Sequence, residues 1–432
     1  IAAGFLVSNA GVDGATDQAL ATQLAMNPIS LGMVSAASGV IALIPGMPVL
    51  PFVALSIAAG FLAWKRATNA RLAEALGMEP PAAASPDVEE PISQTLAIDE
   101  IKIELGYGLL PLINDLDGRR LTDQIKALRK TLAAEYGFVM PPVRILDNMR
   151  LPSQGYLNRI KELEAGSGEV RLGALMAMDP RGGQVELPGE HMREPAFGLP
   201  ATWIEEGLRE EAAFRGYTVV DPSTVLTTHL TEILKENMPD LLSYAEVQKL
   251  LRDLPAEQKK LVDDIVPSVV SVTTIQRVLQ SLLRERVSIR DLPAILEGLS
   301  EAAPHSASLT SLVEQVRARL SRQLSFAFRG EDGALPIITL SPEWETTFAE
   351  SLVGSGEERQ LSMAPSRLQE FIRSVGDAFE RAAQAGDSAV LLTSPGIRPY
   401  VRSLVERFRG QTPVMSQNEV HPRARLKTVG MI

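Results

Sequence analysis

The chain has 432 residues and carries 53 acidic against 42 basic side chains, a formal net charge of −11. This length exceeds what one ordinary hydrophobic core covers, so several modules are expected, and the acidic balance argues against a nucleic-acid partner, which needs a basic surface. The sequence contains no cysteine, which excludes disulfides, thiolate catalysis and cysteine-ligated metal sites.

The N-terminal part, residues 1–64, is predicted to be a transmembrane segment. No charged residue occurs between Gln18 and Trp64, and two apolar stretches, 29–46 and 47–64, are each just long enough to cross a hydrocarbon core as a helix. The turn sequence IPGMP joins them, which predicts a membrane-spanning helical hairpin, with a buried hairpin of a soluble protein as the alternative. Because the chain opens on the apolar IAAGFLV without a methionine, we expect it to be truncated at its N-terminus, within an earlier span.

A cytoplasmic body is predicted to follow the hairpin. Lys65, Arg66 and Arg71 come directly after Trp64, and such a basic excess is typical of the cytoplasmic side of a membrane. Residues 65–99 are a predicted linker, because the stretch from 78 to 96 is rich in Pro, Ala, Ser and acidic residues. We therefore expect a multi-pass membrane protein whose large C-terminal part lies in the cytoplasm.

The body mixes two kinds of element, which predicts a multi-subdomain α/β (α+β) fold. QVELPGEHM (184–192) is predicted as a strand followed by a turn, and further strands are predicted over 169–178, 218–220, 335–340, 389–393 and 412–415. Asp221 before Pro222 predicts a helix N-terminus, and Asp291 predicts another. Apolar residues at helical spacing predict helices in the middle of the body, through Leu226, Leu230, Ile233 and Leu234 and through Ile275, Val278, Leu279, Leu282 and Leu283.

No motif in the sequence requires catalysis. The histidines stand far apart and outside any HExxH-type spacing, at His191, His229, His305 and His421. GxxxxGK[ST] and GxSxG motifs are absent, and the acidic pairs are adjacent in sequence, so their side chains diverge on a helix. His229 follows the apolar stripe and is predicted to be a satisfied core or interface histidine. We expect a protein that is not an enzyme and that uses no metal and no cofactor.

One short stretch, EPAFGLPATWIEE (194–206), places two large aromatic residues in an irregular context. Phe197 and Trp203 stand beside Pro195, Gly198 and Pro200, which oppose both a helix and a central strand. Such residues either fill a core from its side or form a docking site. Composition and spacing leave both interpretations open for Phe197, whereas Trp203 leads into an apolar run and is predicted to be core.

Several stretches, taken in order, resemble the FlhA family of flagellar export-gate proteins, which has relatives in virulence type III secretion systems. They are IPGMP with the second span, ELGYGLLPLI (104–113), EPAFGLPATWI (194–204), VVDPSTVLTTHLTEIL (219–234) and PVMSQNEV (413–420). The resemblance implies a bacterial inner-membrane protein with a cytoplasmic part that forms a nine-membered ring. It also implies four subdomains, over 100–172 with 222–241, over 173–221, over 242–321, and over 322–432 including a C-terminal tail.

The same resemblance assigns roles to individual residues. Chaperones that carry export substrates would dock at Glu194, Phe197 and Thr228, although the flagellar pattern usually has aspartate where this chain has Glu194. Gly106 matches a glycine linked to ring function in the family, and a plain tight-packing glycine is the alternative. The implied partners are chaperone–cargo complexes, other membrane proteins of the export apparatus, the export ATPase complex, membrane lipid and further copies of the chain. A virulence export gate, a membrane-tethered scaffold and a membrane-anchored enzyme are the alternative functions.

Overall fold

The computed structural model describes residues 98–114, 121–306, 308–354 and 359–432, together with isolated helical positions between 35 and 64. The chain divides into two compact units, Ile1–Ala97 and Ile98–Ile432. The predicted linker, apart from residues 98 and 99, lies outside the described residues. So do most of the predicted spans 29–46 and 47–64, and the hairpin stays a prediction.

In the first unit, the described positions belong to helices that meet at small side chains. The Ser35 hydroxyl donates to the carbonyl of Ser56, and the Ser56 hydroxyl donates to the carbonyl of Ser35, each at 2.8 Å. A β-carbon built on Gly60 would stand 3.0 Å from the Ser35 hydroxyl oxygen, so the absence of a side chain there permits this approach. Among the described residues, no helix reaches the length and apolarity that crossing a bilayer requires.

The second unit begins with a four-stranded sheet. Its strands are β1 (Ile101–Leu105), β2 (Val143–Asp147), β3 (Gly155–Ile160) and β4 (Leu163–Glu169), in the order β2-β1-β3-β4. Only the β1–β2 pair is parallel, because helix α1 (Leu121–Tyr136) crosses over between those two strands. Alternate residues of β1 face the core and meet the buried stripe of α1, which consists of Leu121, Ile125, Leu128 and Leu132.

A smaller antiparallel sheet is inserted before the next long helix. It comprises β5 (Ala174–Met178), β6 (Glu190–Arg193), β7 (Pro200–Glu205) and β8 (Thr218–Val220), ordered β6-β7-β5-β8, with helix α2 (Arg209–Phe214) between β7 and β8. One face carries a small core of its own, formed by Leu175, Ala177, Val185, Leu187, Ile204 and Ala212. The other face adds Met176, Ala201 and Trp203 to the main core.

The prediction for 184–192 is wrong in its order, because the strand follows the turn. Val185 and Leu187 are buried in the small core, but their backbone joins no strand. Pairing with β7 starts only at β6, after Pro188-Gly189. A β-carbon on Gly189 would stand 2.1 Å from the carbonyl oxygen of Trp203, so this glycine lets the chain approach β7.

Helices fill the middle of the unit, as their apolar stripes predict. They are α3 (Pro222–Leu241), α4 (Tyr244–Arg252), α5 (Ala256–Ile265), α6 (Val272–Arg284), α7 (Leu292–Ala302), α8 (Leu309–Arg319) and α9 (Ser321–Ala327). The predicted N-caps are confirmed, since Asp221 accepts from the Thr224 amide and Asp291 from the Ala294 amide. All the stripe residues predicted for α3 and α6 are buried.

The last part is a parallel sheet with its own helices. Its strands are β9 (Leu335–Thr339), β12 (Val390–Thr393), β13 (Val414–Ser416) and β14 (Leu426–Met431), in the order β13-β12-β9-β14. A short hairpin, β10 (Leu352–Val353) and β11 (Gln360–Leu361), and three helices, α10 (Pro342–Glu350), α11 (Pro365–Gln384) and α12 (Arg398–Val405), complete it. Strand β14 lies in the segment that the sequence analysis treats as a tail. The four subdomain boundaries stay a prediction.

Candidate docking site

The connection between β6 and β7 is a tight turn closed by the carboxylate of Glu194. Its two oxygens accept hydrogen bonds from the amides of Ala196 at 2.8 Å and Phe197 at 2.7 Å. The backbone closes the same loop, because the Glu194 amide donates to the carbonyl of Leu199 and the Gly198 amide donates to the carbonyl of Glu194. Gly198 has a φ of +68°, which side chains disfavour. The turn is therefore held by its own polar groups.

This turn separates the two aromatic residues of the stretch. The side chain of Trp203 is 3% exposed and lies in the main core, whereas Phe197 is 54% exposed and Leu199, at 39%, stands beside it. Trp203 is thus core, as predicted. Phe197 is a large apolar side chain on the surface, fixed by a rigid backbone, which is the geometry that a docking anchor needs.

Glu194 itself is not available to a partner. It is 3% exposed, and both of its oxygens are engaged by the turn. A charge-assisted bond from a carboxylate to a backbone N–H is stronger than a neutral one, so Glu194 stabilises the conformation that presents Phe197. Its role in the turn is one of positioning.

A buried polar pair lies near the turn and was not predicted as such from the sequence. The hydroxyl of Tyr156, on β3, and Nδ1 of His229, on α3, share a hydrogen bond of 2.8 Å, and both side chains are buried. Burial, and then the negative charge of Glu194, raises the pKa of Tyr156 above its ordinary value. Burial lowers the pKa of His229, and the charge of Glu194 opposes that effect only in part. Near neutral pH the pair is uncharged, and His229 is the satisfied core histidine that the sequence predicts.

Two glycines of β4 make room for this pair. A β-carbon on Gly166 would stand 2.9 Å from Nε2 of His229, and one on Gly168 would stand 2.6 Å from the hydroxyl of Tyr156. Glycine inside a strand often marks a close approach of this kind, and the sequence AGSG in 165–168 was the available signal.

Thr228 lies one residue before His229 on α3 and is half-buried. No hydrogen bond joins its side chain to Glu194 or to Phe197 among the described residues. The neighbouring Thr227 is the residue with a polar connection, because its hydroxyl lies within hydrogen-bond distance of the side-chain oxygen of Gln124, at 2.6 Å, and of the carbonyl of Ser223, at 2.8 Å, and donates to one of them. The structure therefore brings Glu194 and Phe197 into one turn, and it shows no link from this turn to Thr228 among the described residues.

Gly106 lies elsewhere, directly after β1, and is tightly packed. Its amide donates to the carbonyl of Gly155 at 2.8 Å, and a β-carbon would stand 2.1 Å from the carbonyl oxygen of Pro152. The structure thus favours a packing role for this residue. Its role in a ring stays a prediction. Within the part of the chain that the structure describes, His, Asp and Glu side chains form no group of three or more that could hold a metal ion.

Comparison with known proteins matches the chain to a protein family. A family model described as the FHIPEP family matches residues 1–425. The chain is similar to the "Flagellar biosynthesis protein FlhA" of Caulobacter vibrioides (strain ATCC 19089 / CIP 103742 / CB 15), with 75% identity over 434 residues, 100% of this chain and 62% of the relative. It thus spans about three fifths of the length of that relative.

Solved structures share the fold of the second unit. The Chlamydia pneumoniae CdsV protein matches with a TM-score of 0.70 and 24% identity, over 78% of this chain and 98% of that one. Nonameric EPEC SctV-C matches with a TM-score of 0.64 and 20% identity, over 78% and 99%. At these identities the likeness concerns the fold alone, and it confirms the mixed α/β body.

Proposed function

Because the chain belongs to the FHIPEP family, we propose that it is the export-gate component of a flagellar type III protein export apparatus. The similarity to FlhA over the whole chain supports this function and favours the flagellar branch over a virulence system. In this proposal the chain is a multi-pass protein of the bacterial inner membrane, with its residues 98–432 in the cytoplasm. It acts by binding and handing over other proteins, without catalysing a reaction and without a cofactor.

The cytoplasmic part is proposed to assemble into a nine-fold ring beneath the export channel. The nonameric state of SctV-C, which has the same fold, supports this assembly. The ring would bind other membrane proteins of the export apparatus and the export ATPase complex, and its hairpin would contact membrane lipid. Gly106 would contribute through the packing of the loop after β1.

Docking of chaperone–cargo complexes is proposed at the turn between β6 and β7. The single observation that carries this proposal is Phe197, an exposed aromatic side chain on a turn that the Glu194 carboxylate holds rigid. Burial of such a ring by a partner contributes roughly 1.5–3 kcal/mol, and a rigid anchor loses little conformational entropy on binding. Thr228 on α3 would line the same site from the side of the first sheet.

Phe197→Ala is therefore expected to weaken binding of a chaperone–cargo complex to the detergent-solubilised chain by about tenfold or more, which titration calorimetry measures. The chain should stay folded, because the side chain is half exposed. Phe214→Ala is the matched control, since Phe214 belongs to the same small sheet region and is 93% exposed. Unchanged affinity in Phe197→Ala, or an equal loss in both variants, would remove this turn as the docking site.

A further inference from the structure

A large groove in the second unit lies away from the docking turn. Its walls come from the segment 285–294 after α6, from α9 with the following loop, and from the segments 410–414 and 421–425 near the C-terminus. Its volume is about 1920 Å³. Small-molecule sites usually enclose about 300–1,000 Å³, so this groove has room for a segment of a macromolecule.

Unpaired arginines dominate the lining. Five of them are exposed and form no ion pair with any described carboxylate: Arg290, Arg322, Arg329, Arg423 and Arg425. We call this lining the arginine groove. What distinguishes these five arginines is that they line one concave surface. In a chain of net charge −11, this makes the groove a locally basic surface.

Acidic side chains do not neutralise the arginine groove. Three of them belong to the lining, Glu135, Glu285 and Asp291. Glu285 is engaged by the buried Arg317 and Arg398, and Asp291 caps α7. Five guanidinium groups without an ion pair thus face two carboxylates without one, Glu135 and Asp291, so the lining keeps an excess of positive charge that attracts anions.

An aromatic side chain adds an apolar contact to this charge. Phe326, on α9, is 69% exposed and lines the groove, and the guanidinium carbon of Arg329 lies 4.2 Å from the centre of its ring. A ligand that matches both features carries several negative charges and one apolar group. Guanidinium groups bind carboxylates through paired hydrogen bonds, which gives geometric specificity as well as charge attraction.

We propose that the arginine groove binds an acidic segment of a partner protein, with carboxylates on the arginines and one apolar side chain on Phe326. A long nucleic acid would extend beyond the groove along a chain whose net charge is −11 and that therefore repels it, and a concave surface fits a flat lipid bilayer poorly. A short acidic segment meets neither obstacle. This site uses other elements than the Phe197 turn, and it does not depend on the function proposed for that turn.

The test measures binding of a short fluorescein-labelled polyglutamate peptide with one central phenylalanine to the detergent-solubilised 432-residue chain, by fluorescence anisotropy. The double variant Arg322→Glu/Arg425→Glu is expected to lower the affinity by about tenfold or more. The control is Arg277→Glu/Arg373→Glu, which makes the same change of net charge at two exposed arginines outside the groove that form no ion pair with a described carboxylate. Rising salt should weaken binding to the wild-type chain.

A second comparison isolates the aromatic contact. Phe326→Ala should weaken binding of the phenylalanine-containing peptide and leave binding of a peptide with glycine at that position unchanged. The proposal is overturned if the groove and control double variants bind the peptide equally. It is also overturned if a single-stranded oligonucleotide or a phosphatidylserine vesicle binds more tightly than the peptide and loses that binding in the groove variant, because the partner is then of another class.

Discussion

At the scale of single residues, Glu194 shows how a buried charge can hold an exposed aromatic side chain in place. Its carboxylate lies inside the turn and accepts from two amides, so that turn and Phe197 form one rigid unit. The Glu194 side chain reaches the amides two and three residues onward, at Ala196 and Phe197.

Gly106 allows a residue-scale prediction that separates its packing role from a role in assembly. Gly106→Ala places a β-carbon 2.1 Å from the carbonyl oxygen of Pro152, so the backbone must shift. We expect the free energy of unfolding to fall by about 1–3 kcal/mol, measured by urea titration of the detergent-solubilised chain. Gly207→Ala is the control, because a β-carbon there meets no atom within 4 Å. Wild-type stability in Gly106→Ala would contradict the packing role and favour a direct role in assembly.

At the scale of elements, the helices were more predictable than the first sheet. The apolar stripes of α3 and α6 and the N-caps of α3 and α7 are local signals, and each is found in the structure. Strands β1 to β4 were not predicted. Strand β4 is mostly exposed, and its two glycines make room for Tyr156 and His229, so no alternation of buried apolar residues marks it in the sequence. The arginine groove is also invisible in sequence, since its members come from three separated segments.

Helix α11 offers a stability prediction from its two glycines. Gly376 lies inside the helix with open space around its missing β-carbon, so Gly376→Ala should raise the free energy of unfolding by about 0.5–1 kcal/mol. Gly386 follows the same helix with a φ of +81°. Gly386→Ala should instead destabilise by about 1 kcal/mol, because alanine disfavours that conformation. Thermal unfolding of both variants measures this, and a shift in the same direction for both would contradict the argument.

At the scale of the whole molecule, a buried ionic cluster joins the helical middle to the parallel sheet. Its members are Glu285, Glu314 and Arg317 from the helical middle and Arg398, Arg402 and Glu419 from the C-terminal part. Arg317 and Glu419 approach within 2.5 Å, and Arg398 and Glu314 within 2.6 Å. Removing charges from water is costly, and the close pairs offset that cost. The cluster therefore specifies how the two regions fit together.

The pKa values of two carboxylates of this cluster shift in opposite directions. Burial works against the charged form of Glu285, but the attraction of Arg317, Arg398 and Arg402 together holds its pKa below its ordinary value. Glu314 lies at the edge of the cluster and pairs with Arg398 alone. Burial raises the pKa of Glu314 to about 7, and Arg398 offsets that effect only in part. One carboxylate of the cluster thus titrates near neutral pH.

Glu314 therefore predicts a pH dependence of stability. The pKa of Glu314 is higher in the folded than in the unfolded chain. Its stabilising contribution is therefore complete below about pH 4.5 and is lost as the pH rises through about 7. The difference corresponds to at most about 3 kcal/mol. Glu314→Gln stays neutral, and we expect its free energy of unfolding relative to the wild type to rise between pH 5 and pH 8.

Urea titrations at both pH values measure this difference. Subtracting the wild-type value at each pH cancels the opposite contribution of His229, which is lost as the pH falls. Glu350→Gln, at an exposed position of α10, should show no such rise. A difference between Glu314→Gln and the wild type that is the same at both pH values would mean that Glu314 is already ionised at pH 5 and that Arg398 outweighs its burial.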